Sequence, residues 1–105
     1  MVVARMSFWK FKQGQLENGF TLLDDTLADT ARETKGFRGA LTLLSRDDPD
    51  TGVVITLWDS EDTLKASFEG IFRKSIKTIE PFVAGPPEAK NYRVFTAELR
   101  ALTPR

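Results

Sequence analysis

The stretch GVVITLWDSEDTLKASFEGIF, residues 52–72, decides how this chain folds. Its first part, ending in VVITLW, is an almost unbroken apolar run rich in β-branched residues, and reads as a strand closing on Trp58. A helix-start signal follows at once. Ser60 or Asp59 caps the helix, and Glu61 and Asp62 in its first turn complement the positive end of the helix dipole. From there Leu64, Phe68, Ile71, Phe72, Ile76 and Ile79 mark one long helical stripe, which Pro81 ends.

Working outward, FRGALTLLS upstream reads as another strand, and the turn-rich RDDPDTG joins it to VVITLW as an antiparallel hairpin. Before it, from Gln15 to Lys35, the apolar positions take helical spacing: Leu16, Phe20, Leu23, Leu27 and Ala31 fall on one face. Gly36 fits the C-cap of that helix, where a left-handed backbone carries little penalty without a Cβ. Residues 2–12, VVARMSFWKFK, form the first strand, with Val3, Arg5, Ser7, Trp9 and Phe11 on one face and Val2, Ala4, Met6, Phe8 and Lys10 on the other. Downstream, VAGPPEA is a loop and KNYRVFTAELRA the fourth strand. The order β-α-β-β-α-β is the split βαβ pattern of α+β ferredoxin-like domains: a four-stranded antiparallel sheet with two helices on one face. No linker or repeat divides residues 1–105, so the chain reads as a single domain.

Composition narrows the chemistry. At 105 residues and 41% hydrophobic the chain is long enough for one core. Fifteen lysines and arginines balance 15 aspartates and glutamates, which argues against nucleic acid or an anionic membrane as a partner. The same element order occurs in RNA-recognition domains, but GVVITLWDS lacks the basic residue and paired aromatics of their RNA-binding strand. There are no cysteines and no histidines. Disulfides, thiolate sites, serine-histidine triads and histidine-ligated haem or zinc are thereby excluded. The N-terminal segment lacks the apolar run of a signal peptide, so the expected location is cytoplasmic.

Strand three carries Val53, Ile55 and Leu57 on one side and Val54, Thr56 and Trp58 on the other. Two helices cover only one face of such a sheet. Leaving the second face in water would expose several side chains, each worth roughly 1.5–3 kcal/mol on full burial. The expectation is a homodimer packed through the sheet faces; a C-terminal tail folded over the open face is the alternative.

Two short motifs carry a resemblance: Gly36-Phe37-Arg38-Gly39 after helix one, and Trp58-Asp59-Ser60 between strand three and helix two. With the element order, they make the chain resemble the antibiotic biosynthesis monooxygenase family, a branch of the dimeric α+β barrels, over nearly its whole length. The resemblance implies a dimer with a small-molecule cleft between sheet and helices in each subunit. It also implies chemistry on electron-rich phenols with dioxygen and no cofactor, neither metal nor flavin. Trp58 matches the family tryptophan that ends strand three. The asparagine of the quinone-forming members is Val54 here and their tyrosine is Leu64. The haem-degrading branch needs a helix-two histidine, which is absent, and a strand-one asparagine, which falls at Ser7.

If Trp58 faces the helices, alternation places Thr56 and Val54 beside it, with Ser7, Arg5 and Trp9 from strand one. Leu64, Phe68 and Phe72 then line the opposite wall. In this arrangement Arg5 holds a phenolate or enolate anion, while Trp58 and Ser7 donate hydrogen bonds to a developing oxyanion. Trp58 is equally placed for plain packing. Tyr92, Asn91 and Arg93 read as an exposed rim, and Arg73, Lys74 and Lys77 as the solvated face of helix two. The functional expectation is a cofactor-independent monooxygenase of small aromatic or quinol-type substrates; the alternative is a non-catalytic ligand-binding or accessory protein of the same fold.

Overall fold

A computed structural model describes residues 1–100, with side chains described throughout that span except at 26–32, 71 and 72. Four strands, β1 (Val3–Lys10), β2 (Phe37–Leu44), β3 (Thr51–Trp58) and β4 (Glu88–Arg93), form one antiparallel sheet in the order β2-β3-β1-β4. Helix α1 (Leu16–Arg32) links β1 to β2. Between β3 and β4 the chain forms α2 (Glu61–Ser67), a π-helical stretch (Phe68–Phe72), α3 (Arg73–Ile79) and one short 3-10 turn (Glu80–Phe82). This is the expected ferredoxin-like arrangement, with two strands central and two at the edges.

Strand alternation sorts the sheet into two unlike faces. Toward the helices, Val3, Arg5, Ser7 and Trp9 of β1 and Val54 and Trp58 of β3 are all buried. Two apolar clusters form there. The larger joins Trp9, Phe11 and Val54 to Leu16, Phe20 and Leu23 of α1 and Ile79 of α3; the smaller joins Val3, Trp58 and Leu64, with Phe37 packed against it. Gly52 is required under the first cluster, since a Cβ there would overlap the Phe20 ring. The expected stripe positions Leu27, Ala31, Ile71 and Phe72 lie outside the described side chains.

The opposite face carries no helix. Phe8 and Leu43 stay exposed on it, at 37% and 44%, beside half-buried Met6, Val53, Ile55 and Leu57. At one end these strands and the loop at Ala84–Pro86 outline an open groove of about 870 Å³. Among the described residues of the C-terminal segment, Phe95 and Leu99 are themselves exposed, at 90% and 66%.

Two elements depart from the sequence reading. Helix two is not a single α-helix, because the π-helical stretch interrupts it at FEGIF. Gly70 sits in its centre, where helix propensity is lowest and a Cβ would meet no atom within 4 Å. Ser67 and Ser75 are buried alongside the stripe, and the Ser67 hydroxyl donates to the Leu64 carbonyl at 2.6 Å. The fourth strand starts earlier, at Glu88, and stops at Arg93 instead of running to Ala101. Its partner runs out: Arg93 pairs with Val3, and one residue on, Val94 N–H donates to the Val2 carbonyl at 2.9 Å.

Candidate functional site

The strand-to-helix junction at Trp58 is built from both short motifs at once. Phe37 pairs with Trp58 in the β2–β3 register, and their rings meet edge to face at 5.5 Å. The Asp59 N–H donates to the Gly36 carbonyl at 2.8 Å. Ser60 caps α2: its hydroxyl accepts from Thr63 N–H at 3.2 Å, while Thr63 Oγ1 accepts from Ser60 N–H at 3.3 Å. Gly36, with φ +85, lies so close to Thr63 that a Cβ would stand 2.5 Å from that side chain. The two motifs are therefore the two halves of one packing joint, which explains why they track the fold.

The pairing register brings the expected site residues together. Val3 lies opposite Trp58, Arg5 opposite Thr56, and Ser7 opposite Val54. Between the two apolar clusters this row of Arg5, Ser7 and Thr56 makes a polar belt, and both indoles aim into it. Trp58 Nε1 donates to Thr56 Oγ1 at 3.0 Å, and Trp9 Nε1 donates to Ser7 Oγ at 2.8 Å, while Ser7 in turn donates to the Val54 carbonyl at 3.4 Å. The tryptophan N–H groups thus orient hydroxyls, and those hydroxyls stand in the belt.

Arg5 is the charge in the belt. It is buried, its Nε donates to Asn91 Oδ1 at 3.3 Å, and its guanidinium lies 4.9 Å from the centre of the Phe68 ring. Burial lowers its pKa from the ordinary guanidinium value, yet arginine starts so high that the group stays cationic at neutral pH. The π-helical stretch matters here because it carries Phe68 over Arg5; a second cation, Arg73, stands 5.8 Å from the centre of the same ring.

At the β4 edge the layer opens into a cavity of about 320 Å³ lined by Met1, Val3, Glu61, Leu64, Asn91, Tyr92 and Arg93. Of the expected wall residues, Leu64 borders it. Trp58 sits behind Val3 and Leu64, and Arg5 reaches the cavity wall through Asn91. The side chain of Phe72 lies outside those described, and Phe68 is half-buried beside Arg5. Asn91 and Arg93, exposed as expected of a rim, share the helix-facing side because they pair with Arg5 and Val3. Their spacing of two in an edge strand becomes a signal only once that register is known. Among the described residues no group of three or more acidic side chains forms a metal-binding set, and no helix is long and apolar enough to cross a membrane.

No protein-family model matches this sequence, and no curated protein matches it. Solved structures do. A candidate antibiotic biosynthesis monooxygenase from Nitrosomonas europaea superposes with a TM-score of 0.78 at 16% identity, over 90% of each chain. A second such candidate, from Caulobacter crescentus, gives 0.78 at 17% identity over 90% of this chain and 91% of that one. SnoaB, a cofactor-independent oxygenase from Streptomyces nogalater, gives 0.75 at 15% identity over 91% of this chain and 95% of its own. At this level of identity the likeness is one of fold, and it spans nearly the whole of each chain.

Proposed function

We propose that this chain, which shares the fold of the antibiotic biosynthesis monooxygenases, is a cofactor-independent monooxygenase acting on a small aromatic or quinol-type substrate held between sheet and helices. One observation carries the reading: a polar belt of Arg5, Ser7 and Thr56 crosses an otherwise apolar layer, and two tryptophans hold its hydroxyls in place. A structural core has no need of a buried guanidinium between two hydrophobic clusters, because desolvating the charge costs free energy. A site that must hold an anion in a dry space does need one.

In this reading Arg5 stabilises the phenolate or enolate that forms when the substrate loses its proton. The Thr56 hydroxyl, which accepts from Trp58, turns its proton to the developing oxyanion, Ser7, whose proton goes to the Val54 carbonyl, fixes the wall beside it, and Val54, Leu64 and Phe68 exclude water. An anthrone methylene and dioxygen give a quinone carbonyl and one water; the methylene carbon supplies all four electrons, so no external reductant enters. Oxygen uptake with anthrones and hydroquinones tests the reading. Turnover is expected to fall about a hundredfold in Arg5→Met, and a protein that consumes no oxygen with any of them would sink the assignment.

A second reading is supported by the same hydrogen bonds. Both indole N–H groups are already taken by Thr56 and Ser7, and the polar groups of the quinone-forming enzymes are replaced by Val54 and Leu64. A non-catalytic ligand-binding or accessory protein fits those facts, and saturable ligand binding without oxygen uptake would select it.

We also propose that the working form is a homodimer joined through the open sheet face. Support comes from the exposed Phe8 and Leu43 on the face that α1, α2 and α3 leave open. Phe8→Glu on the outer face is expected to convert a dimer into monomers in sedimentation equilibrium. A wild-type protein that is monomeric at micromolar concentration contradicts the proposal.

A further inference from the structure

The π-helix is a rarely adopted winding, found most often at functional sites, and here it interrupts helix two beside the buried charge of the belt. Phe68, the first residue of the stretch, has its ring centre 4.9 Å from the Arg5 guanidinium. Arg73, which follows the last, stands 5.8 Å from the same ring centre. Phe68 and Arg73 are five residues apart. An α-helix turns side chains at that spacing away from one another, whereas the i→i+5 repeat of a π-helix returns them to one side. The Phe68–Arg73 contact therefore depends on the π winding, which also sets Phe68 over Arg5. There is room to change that winding. A Cβ built on Gly70, in the middle of the stretch, would meet no atom within 4 Å, and glycine contributes least to holding any helical turn.

We infer that Phe68 is a gate over Arg5, with the π-helical stretch as its hinge and Arg73 as its latch. The inference rests on the reading that Arg5 receives an anion, and adds how the anion gains access to it. With the gate shut, the ring covers a guanidinium that is 7% exposed, and a cation–π contact is strongest where the cation is desolvated. An anion competes for the same cation. Rewinding the stretch as α-helix moves Phe68 off Arg5 and turns it away from Arg73. Arg73 is exposed, so its contact with the ring is the weaker of the two and tunes the gate without locking it. The ligand meets the open fraction, so its apparent affinity is lowered by that fraction, and once bound it shifts the population toward the open form. Displaced from the cation, the ring lies against the bound ligand and still keeps water out.

Quenching of tryptophan fluorescence by iodide tests this in the full chain without a substrate. The two tryptophans, Trp9 and Trp58, are buried, and each donates to a hydroxyl of the belt that holds Arg5. An iodide ion that reaches Arg5 thus comes close to both. Phe68→Leu keeps apolar bulk and removes the ring; it is expected to raise the Stern–Volmer constant for iodide at least about fivefold. Neutral acrylamide should gain less, and adding Arg5→Met should abolish the excess. Arg73→Met is expected to raise iodide quenching about twofold. Its sign is informative, because removing a surface cation by charge alone makes iodide approach less, and a loosened latch makes it approach more. Arg73 is exposed, so its variant keeps the fold where Phe68→Leu does not, and circular dichroism checks both. Unchanged iodide quenching in either folded variant, a fall in Arg73→Met, or a gain that acrylamide matches or that survives loss of Arg5 overturns the inference. A protein that shows these changes and consumes no oxygen loses the monooxygenase reading and keeps the gate. One that consumes oxygen, with iodide quenching unmoved by Phe68→Leu, keeps that reading and loses the gate.

Discussion

Two ends of the same helix-facing layer, only two strand widths apart, are built on opposite principles. At the β3 end, Trp58, Phe37, Gly36 and Thr63 interlock with an edge-to-face ring pair, a left-handed glycine and a capping box. Every polar group described there is answered by a near neighbour in sequence or by the adjoining strand. At the β4 end, Asn91 and Arg93 line open space, and Arg5, from a strand far away in the chain, stands behind them against Asn91. The first end has the character of a fastening and the second of a site. The residue types that announce the fold and those suited to hold a ligand are therefore different residues, even though both lie on one sheet.

The sharpest way to break this contrast is Trp58→Ala, expected to cost about 3–5 kcal/mol of unfolding free energy in urea titration. A loss below about 1 kcal/mol would mean that Trp58 is not part of the fastening. Arg5→Met should behave the other way. Its turnover falls about a hundredfold, equivalent to roughly 2.7 kcal/mol, while stability changes by less than about 1 kcal/mol, because a desolvated charge is replaced by an apolar chain of similar length. If Arg5→Met unfolds the protein as Trp58→Ala does, the belt is structural and the contrast collapses.

Smaller effects sharpen it. Gly36→Ala combines a left-handed backbone, φ +85, with a Cβ driven into Thr63, and is expected to cost about 2 kcal/mol. Ser60→Ala removes the α2 cap and should cost about 1 kcal/mol. Both are read by thermal or urea unfolding, and both should leave ligand affinity unchanged in the folded protein. An affinity change in Ser60→Ala at constant fold would show that the joint and the cleft are coupled.

Much of the fastening is legible in the amino-acid sequence. Ser60, Glu61 and Asp62 announce the start of α2, and alternation through Val54, Thr56 and Trp58 places those three on one face; Gly36, expected as the cap of α1, instead stands four residues past its end at Arg32, in the left-handed turn that leads into β2. These signals are local: each depends on residues within one turn or one strand of it. The π-helical stretch is not legible, because FEGIF continues a helical stripe by composition and the change of winding depends on what the stripe meets on the sheet. The end of β4 is not legible either, since KNYRVFTAELRA has strand character to Ala101 and stops pairing only where β1 begins.

By itself the sequence determined the element order, the two faces of the first and third strands and the strand-to-helix junction at Trp58, because periodicity and caps act over a few residues. The tertiary structure alone decided that Asn91 accepts from Arg5 at 3.3 Å, that Phe68 covers the guanidinium, and that Arg93 opens onto the cavity. Those contacts join residues as many as 86 positions apart. No local preference specifies which edge strand lies beside β1 or in what register, and a shift of one residue would turn Asn91 and Arg93 to the other face.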